Sequence, residues 1–400
     1  MAAPRYVLIA NPGTKRCETY RRELLLFWAG RGVTPEVDVV PWADVVPRDG
    51  NLDGLPAFDR PAVVRLESPG KDDRVTRLML EAGARDDPTE PPRDWRAEEI
   101  PKGLLLRPGL YYRGFRRVLR GLERSFAARP HLAPTACPLA VAEMFDKTAT
   151  AAKLRAAGVP VPDWLREPRD VFAELNAPES YRKWRTIYLK LNTGSSATGI
   201  IVLRPEGGPL HGTTTLAEID GRFFNSRRLL HLTEDALERA AYFLLMEGAF
   251  AQEGIPLAQI DGQNFDVRVV CVRGRPSASI FRLSPGPMTN LHLGGRRGDF
   301  TTCRAAVPTR DWLDALDHCA EAAACFDCAI AGVDLVFERG LRRHFVLEVN
   351  AFGDFFPGWT DARGRSVHAL EIEDTAARCG AISPPSAGSP GSNSSPSPRS

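Results

Sequence analysis

The stretch that decides the fold spans residues 332–350 and reads GVDLVFERGLRRHFVLEVN. Two runs that alternate apolar and polar side chains flank a Glu-Arg-Gly-Leu segment, a pattern typical of a β-hairpin. With the turn near residues 340–341, residues whose numbers sum to about 682 lie opposite each other. Because side chains on a strand alternate between its two faces, three oxygen-bearing residues then share one face: Asp334, Glu348 and Asn350.

The other face of this hairpin is predicted to be an uninterrupted apolar layer of Val333, Leu335, Phe337, Phe345, Leu347 and Val349. On the polar face, two carboxylates opposite each other repel unless a cation lies between them. Carboxylate and amide oxygens are hard ligands that suit Mg²⁺, so the hairpin favours a magnesium site. The alternative is a solvated sheet face on which nearby basic residues compensate the charge.

A strand, a loop of small residues and a second strand follow one another in residues 186–203. Lys190 lies on the first strand, and Ser195 and Ser196 lie in the loop. Glycine and serine let backbone N–H groups approach anionic oxygens, and a lysine supplies compact positive charge, so this segment favours phosphate binding. The alternative is an ordinary Gly/Ser turn beside a lysine that reaches solvent.

A helix is predicted to start at Asp146-Lys147, because Asp146 is a good N-cap and Gly158 with the Val-Pro-Val-Pro run at 159–162 ends it. Lys147 then lies at a helix N-terminus, where a cation opposes the helix dipole. An anionic ligand would explain this placement. The alternative is an exposed lysine without a ligand.

A second hairpin is predicted over residues 265–282. With a three-residue loop, Arg268 and Arg282 lie opposite each other, and two like charges there require a counter-ion such as a transferring phosphate. A two-residue loop separates them.

Composition narrows the class of protein. A chain of 400 residues suits two or three packed lobes. The net charge of +2, spread without long runs, indicates no nucleic-acid partner. The apolar run at residues 6–10 is too short for a signal peptide or a membrane span. Eight scattered cysteines favour the cytoplasm, and the cluster Cys319, Cys325 and Cys328 is interpreted as small buried side chains.

The first 125 residues alternate short apolar strands with helices, as in an α/β lobe with a parallel sheet. The strands are predicted at 6–10, 37–42 and 62–66, and the helices at 18–30, 73–83 and 111–127. Residues 86–102 are predicted to form a surface loop. Neither a dinucleotide fingerprint nor a P-loop occurs. Residues 383–400, rich in Ser, Pro and Gly, are predicted to be a disordered tail.

Together these elements resemble the ATP-grasp superfamily of ligases over residues 138–375. The similarity is greatest to the branch that contains the ribosomal protein S6 glutamate-adding ligases and glutathione synthetase-like enzymes. The motifs that carry it are, in order, Asp146-Lys147, Gly158-Val-Pro-Val-Pro162, Lys190 with its small-residue loop, Gln252-Glu253, Asp266-Val-Arg268, Arg282, Asn290-Leu-His-Leu-Gly-Gly295, Asp334 and Glu348-Val-Asn350.

The resemblance implies a role for each motif. The ATP phosphates would be held by Lys147, Lys190 and the loop residues Ser195 and Ser196. The rest of the nucleotide would be bound by Gln252, Glu253, Gly254, Asp266 and Asn290, with Glu253 and Gly254 lining the adenine. The catalytic residues would be Arg268 and Arg282, which steady the γ-phosphate and the acyl phosphate. Magnesium, or manganese in its place, would be coordinated by Asp334, Glu348 and Asn350.

The implied fold is α/β plus α+β: a Rossmann-like lobe (residues 1–130), then an ATP-grasp domain whose central lobe (138–250) and C-terminal lobe (251–375) clasp ATP. The implied function is ATP- and magnesium-dependent joining of a carboxylate to an amine through an acyl phosphate. Its substrates would be small molecules or peptides, with neither nucleic acid nor membrane as partner. A small-molecule kinase and a non-catalytic ATP-binding regulator are the alternatives.

Several features carry no prediction of a role. The sequence contains no motif that identifies the substrates or the oligomeric state. His292 fits a base, a substrate contact or a structural hydrogen bond, and the turn at 68–71 fits either a ligand contact or none. Relatives usually continue Glu-x-Asn with Ser-Pro-Gly, whereas this chain continues with Ala351-Phe-Gly-Asp354, so the resemblance predicts nothing for the acceptor side of the site.

Overall fold

The first lobe is built on a parallel sheet. In a computed structural model, the described residues are 4–381 apart from 88, 92, 166–183, 195–196, 205–210 and 355. Four strands pair in the order β2-β1-β3-β4, and every pair is parallel as predicted. They are β1 (Tyr6–Ala10), β2 (Val37–Pro41), β3 (Ala62–Leu66) and β4 (Leu132–Pro134). The helices are α1 (Lys15–Ala29), α2 (Trp42–Val45), α3 (Asp73–Arg85) and α4 (Pro108–Ala127).

Helices cover both faces of this sheet, which is why its central strand is apolar throughout. Tyr6 and Leu8 pack towards α1, while Val7 and Ile9 pack towards α3 and α4. The last helix, α10 (Val367–Arg378), returns from the far end of the chain and packs beside α1. The first lobe therefore contains residues from both ends of the described chain.

The second sheet is antiparallel, with six strands in the order β5-β10-β6-β7-β8-β9. Two helices precede it, α5 (Pro138–Phe145) and α6 (Lys147–Ala156), and α7 (Glu234–Met246) packs against it. Its strands are β5 (Trp164–Leu165), β6 (Ile187–Leu191), β7 (Ile200–Leu203), β8 (His211–Ile219), β9 (Arg222–Thr233) and β10 (Ala249–Glu253).

The third sheet is also antiparallel, in the order β14-β13-β12-β15-β16, with β11 paired to β12. Its strands are β11 (Gln259–Ile260), β12 (Gln263–Val272), β13 (Arg275–Ser284), β14 (Arg296–Arg297), β15 (Ile330–Phe337) and β16 (His344–Asn350). Helices α8 (Phe300–Ala305) and α9 (Thr309–Ala324) lie between β14 and β15 in the chain. The stacked rings of Phe281 and Trp312 join the sheet to α9.

A two-residue turn closes the β12–β13 hairpin. Arg273 and Gly274 both have positive φ (48° and 75°), as a tight primed turn requires. With a bulge near Cys271, this turn pairs Arg282 with Asp266 and places Arg268 opposite Ile280. The alternative with a three-residue loop, in which the two arginines face each other directly, is therefore wrong.

The β15–β16 hairpin has the predicted pairing of Asp334 with Glu348 and most of the predicted apolar layer, since the buried residues include Val333, Leu335, Phe337 and Val349. A bulge follows this pair, so that Leu335 pairs with Val346. The extra residue on β16 reverses the alternation beyond it. Val346 is therefore buried in the core, whereas Phe345 and Leu347, predicted to be buried, are only partly covered.

Other predictions have mixed outcomes. Helix α4 starts at Pro108, slightly before the predicted 111–127. The surface loop at 86–102 contains a 3-10 turn, Trp95–Ala97, whose tryptophan is buried against Leu80 and Leu110. The predicted tail at 383–400 lies outside the described residues. Within the described part of the chain, no helix is long and apolar enough to cross a membrane.

Helices α3 and α4 cross at two buried glycines, and this crossing depends on the absence of side chains. A Cβ on Gly83 would overlap the carbonyl oxygen of Leu110, and one on Gly114 would overlap that of Met79. Both clashes involve backbone atoms, which cannot rotate away. The close crossing sets how α4 covers the first sheet.

We expect Gly114→Ala to lower the free energy of unfolding by about 3 kcal/mol through overpacking. At an unconstrained helical position, the same change raises helix propensity by up to about 1 kcal/mol. Urea denaturation measures the difference. The control is Arg116→Ala, an exposed position on the same helix, where a change within about 0.5 kcal/mol is expected. A Gly114→Ala variant as stable as the native protein would contradict this close crossing.

Candidate functional site

Charged side chains from four strands of the third sheet meet on one face. Arg282 on β13 donates through Nε and Nη2 to the two carboxylate oxygens of Asp266, both at 2.6 Å. Its Nη2 also lies 3.0 Å from Oδ1 of Asp334 on β15. Arg268 Nε lies 2.9 Å from the same Oδ1 atom. The two arginines therefore converge on Asp334 rather than on each other.

The strand β16 adds two further oxygen-bearing side chains. Glu348 lies opposite Asp334. The Asn350 amide donates to Glu348 Oε1 at 3.2 Å, and more weakly to the Gly332 carbonyl at 3.4 Å. The three residues predicted to bind metal are thus neighbours on adjacent strands.

Burial and charge act in opposite directions on the two facing carboxyl groups. Burial raises the pKa of Asp334, although Arg268 and Arg282 partly offset this rise. Burial also disfavours the charged form of Glu348, but Lys147 and the other polar groups nearby together outweigh it, so the pKa of Glu348 is lowered. A further cation near Asp334 would favour its charged form.

Two lysines approach this face from other elements. Lys147, in the first turn of α6, lies 3.6 Å from Glu348 Oε2 and also donates to the Gly194 carbonyl. Lys190 on β6 donates to Gln252 Oε1 at 2.6 Å, and its Nζ lies 5.1 Å from the centre of the Tyr188 ring. Removal of its ammonium group from water lowers the pKa of Lys190 to about 8.

The start of α6 is held by residues on two elements. Asp146 is the N-cap predicted from the sequence, and it accepts from the Ala149 N–H at 2.9 Å. Asn192, just beyond β6, accepts from the Thr148 N–H and donates to Asp146, both at 2.9 Å. Asn192 was not predicted from the sequence, and its position two residues after Lys190 is the only local signal.

The predicted adenine-binding residues, Glu253 and Gly254, lie at the end of strand β10. The Gly254 N–H donates to the Thr186 carbonyl, and the Glu253 N–H to the Asp163 carbonyl, both at 2.8 Å. A Cβ on Gly254 would lie 2.6 Å from the Thr186 side chain. Only glycine therefore fits here without displacing Thr186. Gln252, the residue before Glu253, accepts the hydrogen bond from Lys190, so this segment is also connected to Lys190.

The side chain of Asn290 accepts a hydrogen bond within its own turn. Its side-chain oxygen accepts from the His292 N–H at 2.8 Å and caps a short 3-10 turn. The His292 side chain is exposed. The neighbouring Thr289 donates to Asp266, and it is a second site residue that the sequence motifs did not indicate.

Comparison with known proteins indicates the family. A family model described as YheC/D like ATP-grasp matches residues 141–339. This matched segment belongs to the ATP-grasp superfamily. No curated protein matches it by sequence. The predicted fold, a Rossmann-like lobe followed by a two-lobed ATP-grasp fold, is confirmed. The narrower resemblance to the S6 glutamate-adding branch stays a prediction.

Solved ATP-grasp structures share the fold over nearly the whole chain. D-alanine–D-alanine ligase from Bacillus anthracis with ATP is 14% identical, covers 94% of this chain and 98% of its own, and has a TM-score of 0.50. The D-cycloserine synthetase DcsG is 14% identical, with 94% of this chain and 99% of its own covered and a TM-score of 0.51. The ADP complex of N5-carboxyaminoimidazole ribonucleotide synthetase is 10% identical, with 98% of this chain and 80% of its own covered and a TM-score of 0.54. At these identities, the likeness shows the fold alone.

Other predicted positions have different outcomes. Ser195 and Ser196 lie outside the described residues, so their role stays a prediction. The turn at 68–71 is held internally, because the Ser68 hydroxyl accepts from the Gly70 N–H at 3.4 Å and the Asn11 amide donates to the Pro69 carbonyl at 2.7 Å. The cysteines of the 319–328 cluster are free thiols, two of them buried.

We expect Asp266→Asn to lower the free energy of unfolding by about 3–5 kcal/mol, because it leaves the buried Arg282 charge without its closest partner. Urea denaturation monitored by tryptophan fluorescence is the measurement. The control is Glu338→Gln, which breaks the exposed 2.6 Å pair with Arg343 in the same sheet and is expected to cost less than about 1 kcal/mol. Equal losses in the two variants would contradict the buried pair.

Proposed function

We propose that this protein is an ATP- and magnesium-dependent ligase that activates a carboxylate as an acyl phosphate and joins it to an amine. The observation that carries the proposal is the convergence of Arg268 and Arg282 on Asp334, beside Glu348 and within reach of Lys147. Such a face can hold both a divalent cation and a polyphosphate.

A buried nitrogen of Arg268 supports the anionic half of this proposal. Its Nη1 atom is buried and has no hydrogen-bond partner among the described residues. Buried donors are normally satisfied, and a phosphate oxygen is a suitable acceptor. Gly332 leaves space beside this nitrogen, because a Cβ there would lie 2.7 Å from it.

The oxygen atoms of Asp334, Glu348 and Asn350 fit Mg²⁺, which prefers hard oxygen ligands. Within the part of the chain that the structure describes, no three His, Cys, Asp or Glu residues are grouped to hold a metal ion. The two carboxylates and the amide of these residues would therefore form only part of the coordination shell of a Mg²⁺ ion. Phosphate and water oxygens would complete it, as is common for Mg²⁺ with nucleotides.

In the proposed reaction, the substrate carboxylate oxygen attacks the γ-phosphorus of ATP and ADP leaves. Lys147 and Lys190 hold the phosphates, and Arg268 and Arg282 stabilise the charge that develops on the transferred group. Bound Mg²⁺ would neutralise phosphate charge. The amine then attacks the acyl carbon, the C–O bond to phosphate breaks, the C–N bond forms, and the amine loses a proton. No covalent bond to the protein is required.

The proposed division of labour follows the chain. The lobe at 138–250 supplies the lysines, and the lobe at 251–375 supplies the arginines and the metal ligands. The first lobe, 1–130, provides the acceptor side. Gln252, Glu253 and Gly254 lie at the joint, where they would contact the adenine, with Asp266 and Asn290 facing the nucleotide. A kinase would use the same ATP site but transfer phosphate to a hydroxyl.

The direct test supplies panels of amino acids and small carboxylates with amines and measures ADP and phosphate release. We expect release only when a carboxylate and an amine are both present. Arg268→Met should lower the rate by roughly 100-fold, as expected for a lost charge-stabilising donor. Glu338→Gln, outside the site, should leave the rate unchanged. A stable phosphorylated product would indicate the kinase, and nucleotide binding without turnover would indicate a regulator.

A separate prediction concerns pH. Because its pKa is lowered to about 8, Lys190 is charged below pH 8 and loses its charge as the pH rises through 8. We expect ADP affinity, measured by calorimetry, to fall roughly tenfold from pH 7.5 to 9.5 as this cation is lost. Lys190→Arg should remove most of the fall, since a guanidinium does not titrate there. An unchanged profile in Lys190→Arg would contradict the role of Lys190.

A further inference from the structure

A chain of alternating charges crosses the first lobe and ends at the loop that follows β16. Glu371 on α10 accepts from Arg65 Nε and Nη2 at 2.8 and 3.0 Å. Arg65 Nη1 donates to Glu67, whose second oxygen accepts from Arg16 Nε at 3.1 Å. Arg16 Nη2 donates to the carbonyl oxygen of Phe352. The chain thus links α10, β3 and α1 to residue 352.

The three inner members of this network are deeply buried. Arg65 and Glu67 are each 2% exposed and Glu371 is 1% exposed, and burying ions costs several kcal/mol each. Burial disfavours the charged form of Glu67, but Arg65 and Arg16 outweigh it and lower the pKa of Glu67. Arg16 also lies in the first turn of α1, where a cation opposes the helix dipole. The orientation of the Arg16 side chain is therefore fixed at an energetic cost.

The loop that Arg16 reaches is held tightly against its surroundings. Gly353 has a φ of 55°, and a Cβ there would lie 2.7 Å from Ile330. The Phe352 ring makes an edge contact with Phe145, with 5.9 Å between ring centres. Arg16 adds the contact from the first lobe. Phe352 is only two residues beyond Asn350, so a shift of its carbonyl moves the end of β16.

We infer that Arg16 is a positioning residue, which holds the end of β16, with Glu348 and Asn350, in a fixed position relative to the first lobe. This inference rests on the proposed function, because it assigns to Arg16 the support of the proposed metal ligands. Arg16 does not touch the reacting atoms. It acts through the Phe352 carbonyl.

The test compares the native protein with Arg16→Ala, Arg16→Lys and the control Arg21→Ala, an exposed residue on the same helix. Calorimetry measures ADP affinity in EDTA, and electron paramagnetic resonance measures Mn²⁺ affinity in the presence of ADP. We expect ADP affinity without metal to stay within about twofold in every variant. Mn²⁺ affinity should fall about tenfold in Arg16→Ala, the size expected when an outer-shell support of a metal site is lost.

Two further readouts separate positioning from a merely structural role. Hydrogen exchange at residues 351–354 should be faster in Arg16→Ala than in Arg21→Ala, and Arg16→Lys should recover part of the Mn²⁺ affinity. If Arg16→Ala melts at a lower temperature, Arg16→Met, which keeps the aliphatic stem, takes its place.

The outcomes that overturn the inference differ from those that overturn the proposed function. Native Mn²⁺ affinity and native exchange in Arg16→Ala overturn the role of Arg16 alone. Equal losses of Mn²⁺ affinity and metal-free ADP affinity also overturn it, since they indicate general damage. A native protein that binds no ADP, or binds ADP but no Mn²⁺, overturns the proposed function and this inference together.

Discussion

Two carboxylates opposite each other on neighbouring strands cannot both stay charged in a buried site without positive charge close by. Asp334 and Glu348 are such a pair, and much of the surrounding structure supplies that charge. Arg268 and Arg282 reach Asp334 along the sheet, and Lys147 reaches Glu348 from α6. Elements far apart in the chain are thereby brought to one place.

The backbone of the third sheet is arranged around the same pair. A two-residue turn and a bulge in the β12–β13 hairpin place Arg282 opposite Asp266. The segment that follows α6 covers the outer edge of β16, since the Val346 N–H donates to the Pro160 carbonyl at 2.8 Å. Without such cover, an edge strand exposes unpaired backbone groups. The segment between α6 and β5 therefore also stabilises the strand that carries Glu348.

Two lysines lie where the second sheet approaches the carboxylates of the third. Lys147 contacts Glu348, whereas the hydrogen-bond acceptor of Lys190 is the neutral amide of Gln252. A polyphosphate oxygen is a suitable anionic partner for such an ammonium group. The first lobe is joined to the end of β16 through Arg16 and the Phe352 carbonyl.

Local sequence determined much of this protein. The alternation in residues 332–350 predicts the hairpin and the pairing of Asp334 with Glu348. The residues around Asp146 predict the helix and its N-cap, and the apolar runs before residue 70 predict the parallel sheet. These features follow from interactions between residues close in sequence, where side-chain periodicity and capping leave few alternatives.

Tertiary structure decided the rest. Burial of Val346 in place of Leu347 depends on a bulge, which a regular alternation does not indicate. The pairing of Arg282 with Asp266 depends on a turn length that the sequence left open. Asn192, Thr289 and Arg16 carry no motif, because their partners are distant in sequence or lie in another element. Such contacts form only when packing brings separate elements together, and their energies depend on burial, which a residue's neighbours in sequence do not specify.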